Sequence, residues 1–334
     1  MIKLFTDEGW PNFSEDDGIL STGAPIIFIW GGRGTGKTYG ALKHVHEKEE
    51  EFLYLRRTPQ QAELICSSPL MWPWSPLNND LQTHYAPFKM SQIAGMYEVG
   101  NAGAYTDTGV PIRPAQMSGV LGNVVTMART RGFSSPSTDI IILDEYQKEE
   151  SDYYRRGEGV GLANIYETVN RNRELQGQKP ITLLCMSNAV GMANPYYMQW
   201  DITDAVERMI GKKERVKLLK DKGILLIDLV DSPVAKEKAK TALYRSMSGT
   251  DFYRSAIENQ YSAEEKSLVV SRPLREYYPL VQIGRCCIYE HKSKPVYYVC
   301  RHRSGEMPAY GSGDYERIPG RVWVYMAGIP AAAN

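Results

Sequence analysis

The sequence has no excess of charge of either sign. Its 39 lysines and arginines balance 39 aspartates and glutamates over 334 residues. A protein that coats nucleic acid through bulk charge is basic, so any nucleic-acid contact of this chain must come from local basic loops. The same balance excludes an acidic chain that mimics a charged substrate.

Cysteine motifs and long apolar runs are also missing. The five cysteines are odd in number and include no C-x-x-C pair, so a zinc ribbon is unsupported and reduced thiols are expected. The amino terminus lacks the apolar core of a signal peptide, and no apolar run approaches the roughly 20 residues of a membrane span. We therefore expect a soluble cytoplasmic protein with no membrane partner. Its apolar fraction of 43% is enough for a packed core.

What the sequence does contain is a series of buried strands. Continuous apolar runs, typical of strands buried on both faces, occupy 26–30, 52–55, 140–143, 181–186 and 224–230. A helix is predicted from Thr38 to about Lys48, and the strand–helix–strand order predicts a parallel sheet. The segments between are predicted to be irregular in 66–95, a hairpin in 96–115 and a short strand over Val124–Met127.

A nucleotide-binding motif follows the first strand. Residues 31–38 read Gly-Gly-Arg-Gly-Thr-Gly-Lys-Thr and fit the pattern G-x-x-x-x-G-K-[ST] between a strand and a helix. Glycines let backbone amides curve around phosphate oxygens, and the helix amino terminus adds its positive end. Lys37 is expected to neutralise the β- and γ-phosphates of ATP and the Thr38 hydroxyl to bind Mg²⁺, whereas Arg33 either reaches the γ-phosphate or lies on the surface. The predicted nucleotide-binding residues are Gly31, Gly32, Arg33, Gly34, Thr35, Gly36, Lys37 and Thr38.

A pair of carboxylates follows the 140–143 run. Asp144 and Glu145 are expected beside the phosphate loop, because ligands bind at the carboxyl ends of parallel strands. Asp144 is expected to complete the Mg²⁺ shell, and Glu145 to orient the attacking water and accept its proton. A small-molecule kinase needs no activated water, so the second carboxylate favours an ATP hydrolase. By analogy, the strands predicted between the two motifs indicate the additional-strand P-loop fold, in which the two motif strands are not neighbours.

The character of the chain changes after about residue 230. A helix is predicted from Lys236 to Tyr253, and β-branched and aromatic runs indicate short strands at 268–270, 286–289, 296–299 and 322–325. The predicted fold class is α/β: a P-loop ATPase domain over 1–230, a helical linker over 231–266 and a small β-rich C-terminal domain over 267–334. The acids of the last domain are few and scattered, so no nuclease activity is expected.

Several polar residues are candidates to complete the site or to contact DNA. Asn188 follows the 181–186 strand and either senses the γ-phosphate or forms a turn. Arg171 and Arg173 follow a predicted helix and form either an arginine finger for a neighbour's γ-phosphate or a solvated basic surface. Basic residues near aromatic ones suit a groove that follows a nucleic-acid backbone, although charged loops are also commonly only solvated. The candidates of this kind are Arg56, Arg57, Arg129, Arg131, Lys148, Arg155 and Arg156.

Five strings together resemble the genome-packaging ATPases of small tailed phages of the phi29 type. They are Gly31–Thr38, Tyr54–Arg57, Ile140–Tyr146, Val169–Glu174, and Met186–Val190 leading to Asn194–Tyr197. The phosphate loop is generic, whereas the strings R-N-R-E and S-N-A-V…N-P-Y are specific. The resemblance covers about residues 24–230.

The resemblance implies an ATP-hydrolysing motor that drives double-stranded viral DNA into a preformed procapsid. It implies a homopentameric ring at the portal vertex, in the host cytoplasm, assisted in known members by a packaging RNA. It further implies that Arg171 acts in trans on a neighbour's ATP, that Arg131 acts in trans or faces DNA, and that the C-terminal domain is a shortened, vestigial nuclease-like domain. The alternatives are another P-loop NTPase such as a helicase or a plasmid or filamentous-phage assembly ATPase, a nucleotide or small-molecule kinase, and an assembly protein that uses ATP only as a structural ligand.

Overall fold

A nine-stranded sheet with helices on both faces forms the main body of the protein. The computed structural model describes residues 2–90, 95–129, 138–148, 152–188, 191, 194–230, 232–250, 253, 273–283, 286–300 and 303–310. The strands of the main sheet are β1 (Ile26–Trp30), β2 (Phe52–Arg56), β3 (Tyr85–Lys89), β4 (Tyr97–Asn101), β5 (Gly119–Asn123), β6 (Ile140–Asp144), β7 (Thr182–Ser187), β8 (Val216–Leu219) and β9 (Ile224–Asp228). The helices are α1 (Lys37–Lys48), α2 (Pro59–Ser67), α3 (Ser75–Leu81), α4 (Val124–Met127), α5 (Glu158–Asn170), α6 (Pro195–Gln199), α7 (Thr203–Gly211), α8 (Pro233–Ala239) and α9 (Ala242–Ser246).

The strand order of this sheet is β3-β4-β5-β2-β6-β7-β1-β9-β8. The six central strands in this order, β5-β2-β6-β7-β1-β9, run parallel to each other. The strands at both edges, β3 and β4 on one side and β8 on the other, are antiparallel to their neighbours. Strand β7 lies between β1, which leads into the phosphate loop, and β6, which ends at the predicted acidic pair. The two motif strands are therefore not neighbours, and the predicted additional-strand P-loop fold is confirmed.

Alternate residues along the central strands face two apolar layers. Leu53 and Ile141 belong to one layer, which is completed by helices α4 to α7. Tyr54 and Ile142 belong to the other layer, which is completed by helices α1 to α3 and by the N-terminal segment around Phe13. This alternation decides which side chains at the strand ends meet each other, because residues two apart on a strand share a face.

Four segments differ from the elements that their composition predicts. The predicted irregular stretch 66–95 contains helix α3 and strand β3. The hairpin predicted over 96–115 begins earlier in the chain, because β4 pairs with β3. Val124–Met127 is a helical turn rather than a strand, because the Asn123 side chain caps it by accepting a hydrogen bond from the Thr126 amide at 2.8 Å. The helix predicted over 236–253 is split into α8 and α9 by Thr241, whose backbone is extended.

A second, four-stranded sheet lies in the C-terminal part. Its strands are β10 (Tyr277–Ile283), β11 (Cys286–His291), β12 (Tyr297–Cys300) and β13 (Ala309–Tyr310), in the order β12-β11-β10-β13. Strands β11 and β12 match two of the predicted short strands, whereas the runs 268–270 and 322–325 lie outside the described residues. Strand β10 was not predicted, since Pro279 interrupts its apolar pattern. The small β-rich part of the predicted fold class is confirmed. Among the described residues, no helix is both long and apolar enough to cross a membrane.

Candidate nucleotide-hydrolysis site

The phosphate loop joins the carboxyl end of β1 to the first turn of α1. Gly34 and Gly36 have φ angles of +67° and +85°, a conformation that glycine adopts without steric cost. The buried ammonium group of Lys37 donates hydrogen bonds to the carbonyl oxygens of Gly31 and Gly32 at 3.0 and 2.8 Å. The lysine is therefore held across the inside of the loop. Arg33 is exposed at the outer side of the same loop.

The N-terminal segment supports the loop from outside, which the sequence did not indicate. A Cβ atom on Gly36 would lie 2.5 Å from Cε3 of Trp10, and a Cβ atom on Gly31 would lie 2.9 Å from the Leu229 side chain. The Trp10 ring also lies 6.4 Å from the ring of Tyr39 in the first turn of α1. Close packing thus requires both glycines, and the positive φ of Gly36 is a second reason for glycine at that position.

Asp144 lies beside the phosphate loop and accepts three hydrogen bonds or ion-pair contacts at one oxygen. Its Oδ2 atom accepts hydrogen bonds from the Thr38 hydroxyl at 3.1 Å and from the Tyr54 hydroxyl at 2.6 Å. Burial and the neighbouring carboxylate of Asp144 raise the pKa of Tyr54 well above its ordinary value. Tyr54 therefore stays protonated and donates to the carboxylate.

These oxygens fit a magnesium ion. The Thr38 hydroxyl, in the first turn of α1, lies 3.1 Å from the Asp144 carboxylate. Mg²⁺ prefers oxygen ligands of these two kinds and takes its remaining ligands from water and phosphate. No cluster of three or more histidine, cysteine or acidic side chains with metal-binding spacing occurs among the described residues. The pair Thr38 and Asp144 suits a metal that arrives with a nucleotide.

Arg56 bridges the two carboxylates that follow β6. Its guanidinium lies 3.3 Å from Oδ2 of Asp144 and also forms an ion pair with Glu145. Burial opposes the charged form, but Tyr54, Asp144 and Glu145 together raise the pKa of Arg56, so it remains charged. Arg56 was predicted as a candidate DNA contact; it is buried within the acidic pair instead, because β2 is the neighbour of β6 and the two strand ends lie side by side.

Glu145 has the geometry of a residue held in a strained conformation. Its φ angle is +56°, which is uncommon for a side chain other than glycine, asparagine or aspartate. The side chain of Glu145 is 47% exposed, whereas that of Asp144 is 9% exposed. Solvent thus reaches Glu145 but scarcely reaches Asp144, as expected if one acid handles water and the other a buried cation.

Asn188 is at the same edge of the sheet, directly after β7. Its Oδ1 atom accepts a hydrogen bond from the Lys37 ammonium group at 3.4 Å. Of the two interpretations of Asn188, this contact supports the one that places it against the phosphate-binding lysine. The carboxyl ends of β1, β2, β6 and β7 therefore bring together Lys37, Thr38, Arg56, Asp144, Glu145 and Asn188.

Arg57 is fully buried, on the opposite face of the sheet from Arg56. Its guanidinium donates to both carboxylate oxygens of Glu158 at 3.0 and 3.1 Å and to Asp152 at 2.9 Å. It also lies 4.7 Å above the ring of Tyr154. The prediction of Arg57 as a DNA contact is not met in this structure, because none of its side chain is accessible. The signal that sequence reasoning missed is Glu158, in the first turn of α5.

The two candidate arginines after α5 lie far from the phosphate loop of their own chain. Asn170 accepts a hydrogen bond from the Ile181 amide at 2.9 Å, just before β7, so α5 ends at the amino edge of the sheet. A strand of six residues spans about 20 Å, which separates this edge from the nucleotide edge. Arg171 is exposed there with a φ of +47°, whereas Arg173 is half-buried and donates to the Thr138 carbonyl oxygen at 2.9 Å. Arg171 is therefore too distant to act on its own chain's nucleotide, and Arg173 has a structural contact.

The remaining basic candidates are only partly described. Lys148 is half-buried, and its backbone amide donates to the Tyr154 hydroxyl at 3.3 Å. Arg155 lies over the exposed ring of Tyr153, 4.2 Å from its centroid. Arg131 lies outside the described residues.

The sheet order and the phosphate loop define an α/β P-loop NTPase fold of the additional-strand type. The sequence profile of the podovirus DNA encapsidation protein (Gp16) family matches residues 122–280. The DNA packaging protein of Bacillus phage phi29 is 23% identical over 260 residues, which cover 76% of this chain and 67% of that protein.

Two solved structures share the fold. The Phi-28 gp11 DNA packaging motor aligns with a TM-score of 0.55 at 16% identity, over 95% of this chain and 86% of that chain. The bacteriophage Phi-29 viral genome packaging motor assembly aligns with a TM-score of 0.51 at 15% identity, over 93% of this chain and 88% of that chain. The resemblance to packaging proteins of phi29-type phages that the sequence strings indicated is confirmed.

Proposed function

We propose that this chain is the ATP-hydrolysing subunit of a ring motor that moves double-stranded viral DNA into a preformed procapsid. The observation that carries the proposal is the 3.1 Å contact between the Thr38 hydroxyl and Asp144, with Lys37 and Glu145 at the same sheet edge. The similarity to the phi29 DNA packaging protein supports DNA as the substrate that the motor moves.

Each side chain at the nucleotide edge has a separate task in hydrolysis. Lys37 and the loop amides bind the phosphates, and Lys37 exchanges its carbonyl partners for phosphate oxygens. Thr38 and Asp144 would hold Mg²⁺, which supplies positive charge to the phosphate oxygens when bound. Glu145 orients a water molecule and accepts its proton as the water oxygen bonds to the γ-phosphorus and the bond to the β–γ bridging oxygen breaks. Asn188, in contact with Lys37, is suited to respond to the γ-phosphate.

Arg56 sets a condition on this chemistry. The guanidinium of Arg56 engages the Oε2 atom of Glu145 in an ion pair and so stands where a water molecule would donate to that oxygen. The Arg56–Glu145 pair must therefore open before Glu145 activates water. Arg56 is in this sense a positioning residue that keeps the site inactive until the nucleotide is in place.

Arg171 completes the site from an adjacent subunit. Its position at the amino edge of the sheet, about 20 Å from its own phosphate loop, supports action in trans. A guanidinium delivered to a neighbour's γ-phosphate raises the rate of phosphoryl transfer by roughly 10³–10⁵-fold. Such an arrangement requires a ring or another head-to-tail assembly, for which we propose a homopentamer at the portal vertex in the host cytoplasm, assisted by a packaging RNA.

The test is phosphate release by the purified full chain with ATP and Mg²⁺, with and without double-stranded DNA, followed by DNA entry into empty procapsids. We expect DNA to stimulate phosphate release and the procapsid to become loaded with DNA. Glu145→Gln serves as the matched control, because it keeps the shape of the site. Transfer of the γ-phosphate to a small acceptor would indicate a kinase instead, and DNA unwinding without entry into procapsids would indicate a helicase.

A further inference from the structure

The turn over residues 171–178 is fixed rigidly to the body of the protein. Its backbone closes on itself through amide-to-carbonyl hydrogen bonds of 2.8 to 3.1 Å. The amides that close it belong to Gln176, Gly177 and Gln178. Arg173 ties the turn to the start of β6 through the Thr138 carbonyl oxygen at 2.9 Å. A side chain that projects from this turn therefore has a defined position.

Two side chains with opposite chemistry are exposed on this turn. Leu175 is 87% exposed. Arg171, four residues earlier, is exposed with backbone angles of φ +47° and ψ −126°, and its Nε atom donates to the Thr168 carbonyl oxygen at 3.3 Å. A leucine held in water on a fixed turn gains nothing for the folded monomer, because its apolar surface stays hydrated. A non-glycine residue in so rare a conformation is often found at a functional site.

A second copy of this chain is the occupant that this surface fits. Arg171 lies too far from its own phosphate loop to act there, so its target is on another molecule, and Leu175 is only four residues away on the same turn. Leu175 itself offers no group that binds a phosphate, so an apolar surface on another protein chain suits this side chain better than DNA does. An apolar side chain beside a charged one is typical of an interface anchor, since it excludes water from the charged contact.

We infer that Leu175 is the apolar anchor by which one subunit docks on the next and so positions Arg171. Leu175 is a positioning residue: it touches the neighbouring subunit and holds the turn that carries the arginine. This inference rests on the proposed function, since it assumes that Arg171 serves a neighbour's nucleotide. It adds a prediction that Arg171 alone does not make, namely that assembly and catalysis are separable on this turn.

The experiment places a photo-crosslinking residue at position 175 of the full chain. Leu175→p-benzoylphenylalanine is irradiated with ATP, Mg²⁺ and DNA, and the products are identified by mass spectrometry. Leu70→p-benzoylphenylalanine is the matched control, because Leu70 is 97% exposed between α2 and α3, on the other face of the sheet. We expect covalent dimers of this chain from position 175 and few from position 70. Crosslinks from position 175 to DNA, or none at all, would overturn the inference.

A second variant tests the effect on catalysis. Leu175→Ser should raise the protein concentration needed for half-maximal phosphate release by roughly tenfold, with an unchanged maximal rate and unchanged nucleotide binding. Leu175→Met should restore the parent's concentration dependence, because it keeps most of the apolar surface. Arg171→Ala should instead lower the maximal rate. If Leu175→Ser assembles and hydrolyses as the parent does, the anchor assignment is wrong while the proposed motor stands; if the parent neither assembles nor hydrolyses ATP, the proposed function itself fails.

Discussion

The buried ion-pair network around Arg57 allows a stability prediction with a worked magnitude. Arg57→Met removes the cation that pairs with Glu158, and both side chains are inaccessible to solvent. Removing one partner of a buried ion pair costs about 3–5 kcal/mol, because the other charge stays buried without compensation. Asp152 adds little, since its side chain is 31% exposed and water replaces the lost contact. At about 2–4 °C per kcal/mol, the midpoint of thermal unfolding should fall by roughly 6–20 °C.

Thermal unfolding followed by circular dichroism measures this change. Arg57→Met combined with Glu158→Gln is the control, because it removes the uncompensated charge and keeps an acceptor for the Tyr196 hydroxyl, which donates to Glu158 at 2.9 Å. The double variant should be more stable than Arg57→Met alone. An unfolding midpoint for Arg57→Met within about 3 °C of the parent would refute this reasoning. Arg57 would then be a solvated or DNA-facing residue instead.

Three further predictions concern the nucleotide edge and helix α1. Lys37→Ala should lose nucleotide binding, which a fluorescent ATP analogue measures. Glu145→Gln should bind ATP but hydrolyse it roughly 10²–10⁴-fold more slowly, which phosphate release measures. Fast turnover by Glu145→Gln would contradict the assignment of Glu145 as the base. Trp10 lies against Gly36 of the phosphate loop, so nucleotide binding should change the tryptophan fluorescence, and a change that persists undiminished in Trp10→Phe would contradict this. Burial lowers the pKa of His44 below its ordinary 6.5. As the pH falls, His44 is therefore protonated in the unfolded chain before it is protonated in the folded one. The stability that neutral His44 contributes is lost as the pH falls below about 6.5. The stability of the parent relative to His44→Asn should therefore decline from pH 7.5 to pH 6, and chemical denaturation that shows a pH-independent difference would count against it.

The sequence predicted the elements whose signal is strong and local. The phosphate loop and the strands around it follow from continuous apolar runs and from a motif with one structural solution. Val124–Met127 was predicted wrongly, because two valines and a threonine favour a strand while the preceding Asn123 caps a helical turn. The predicted domain boundaries near residues 230 and 266 remain predictions.

Arg56 and Arg57 show that a local sequence pattern does not predict the contact partners of a side chain. Arg56 shares the parity of Tyr54 along β2 and reaches Asp144 with it, whereas Arg57 has the opposite parity and turns towards Glu158. Alternation alone predicts that the two arginines diverge. Their partners depend on β2 lying next to β6 and on α5 crossing the opposite face, which are long-range features of the fold.

Mixing two inactive variants tests most directly the claim that ATP is hydrolysed at a junction between subunits. Glu145→Gln keeps Arg171 but lacks the base, and Arg171→Ala keeps the base but lacks the guanidinium. In randomly mixed rings, about one interface in four combines an intact nucleotide edge with an intact Arg171. The account predicts that DNA-stimulated phosphate release in the equimolar mixture rises well above that of either variant alone. A mixture that assembles but hydrolyses no faster than the average of its components would contradict it.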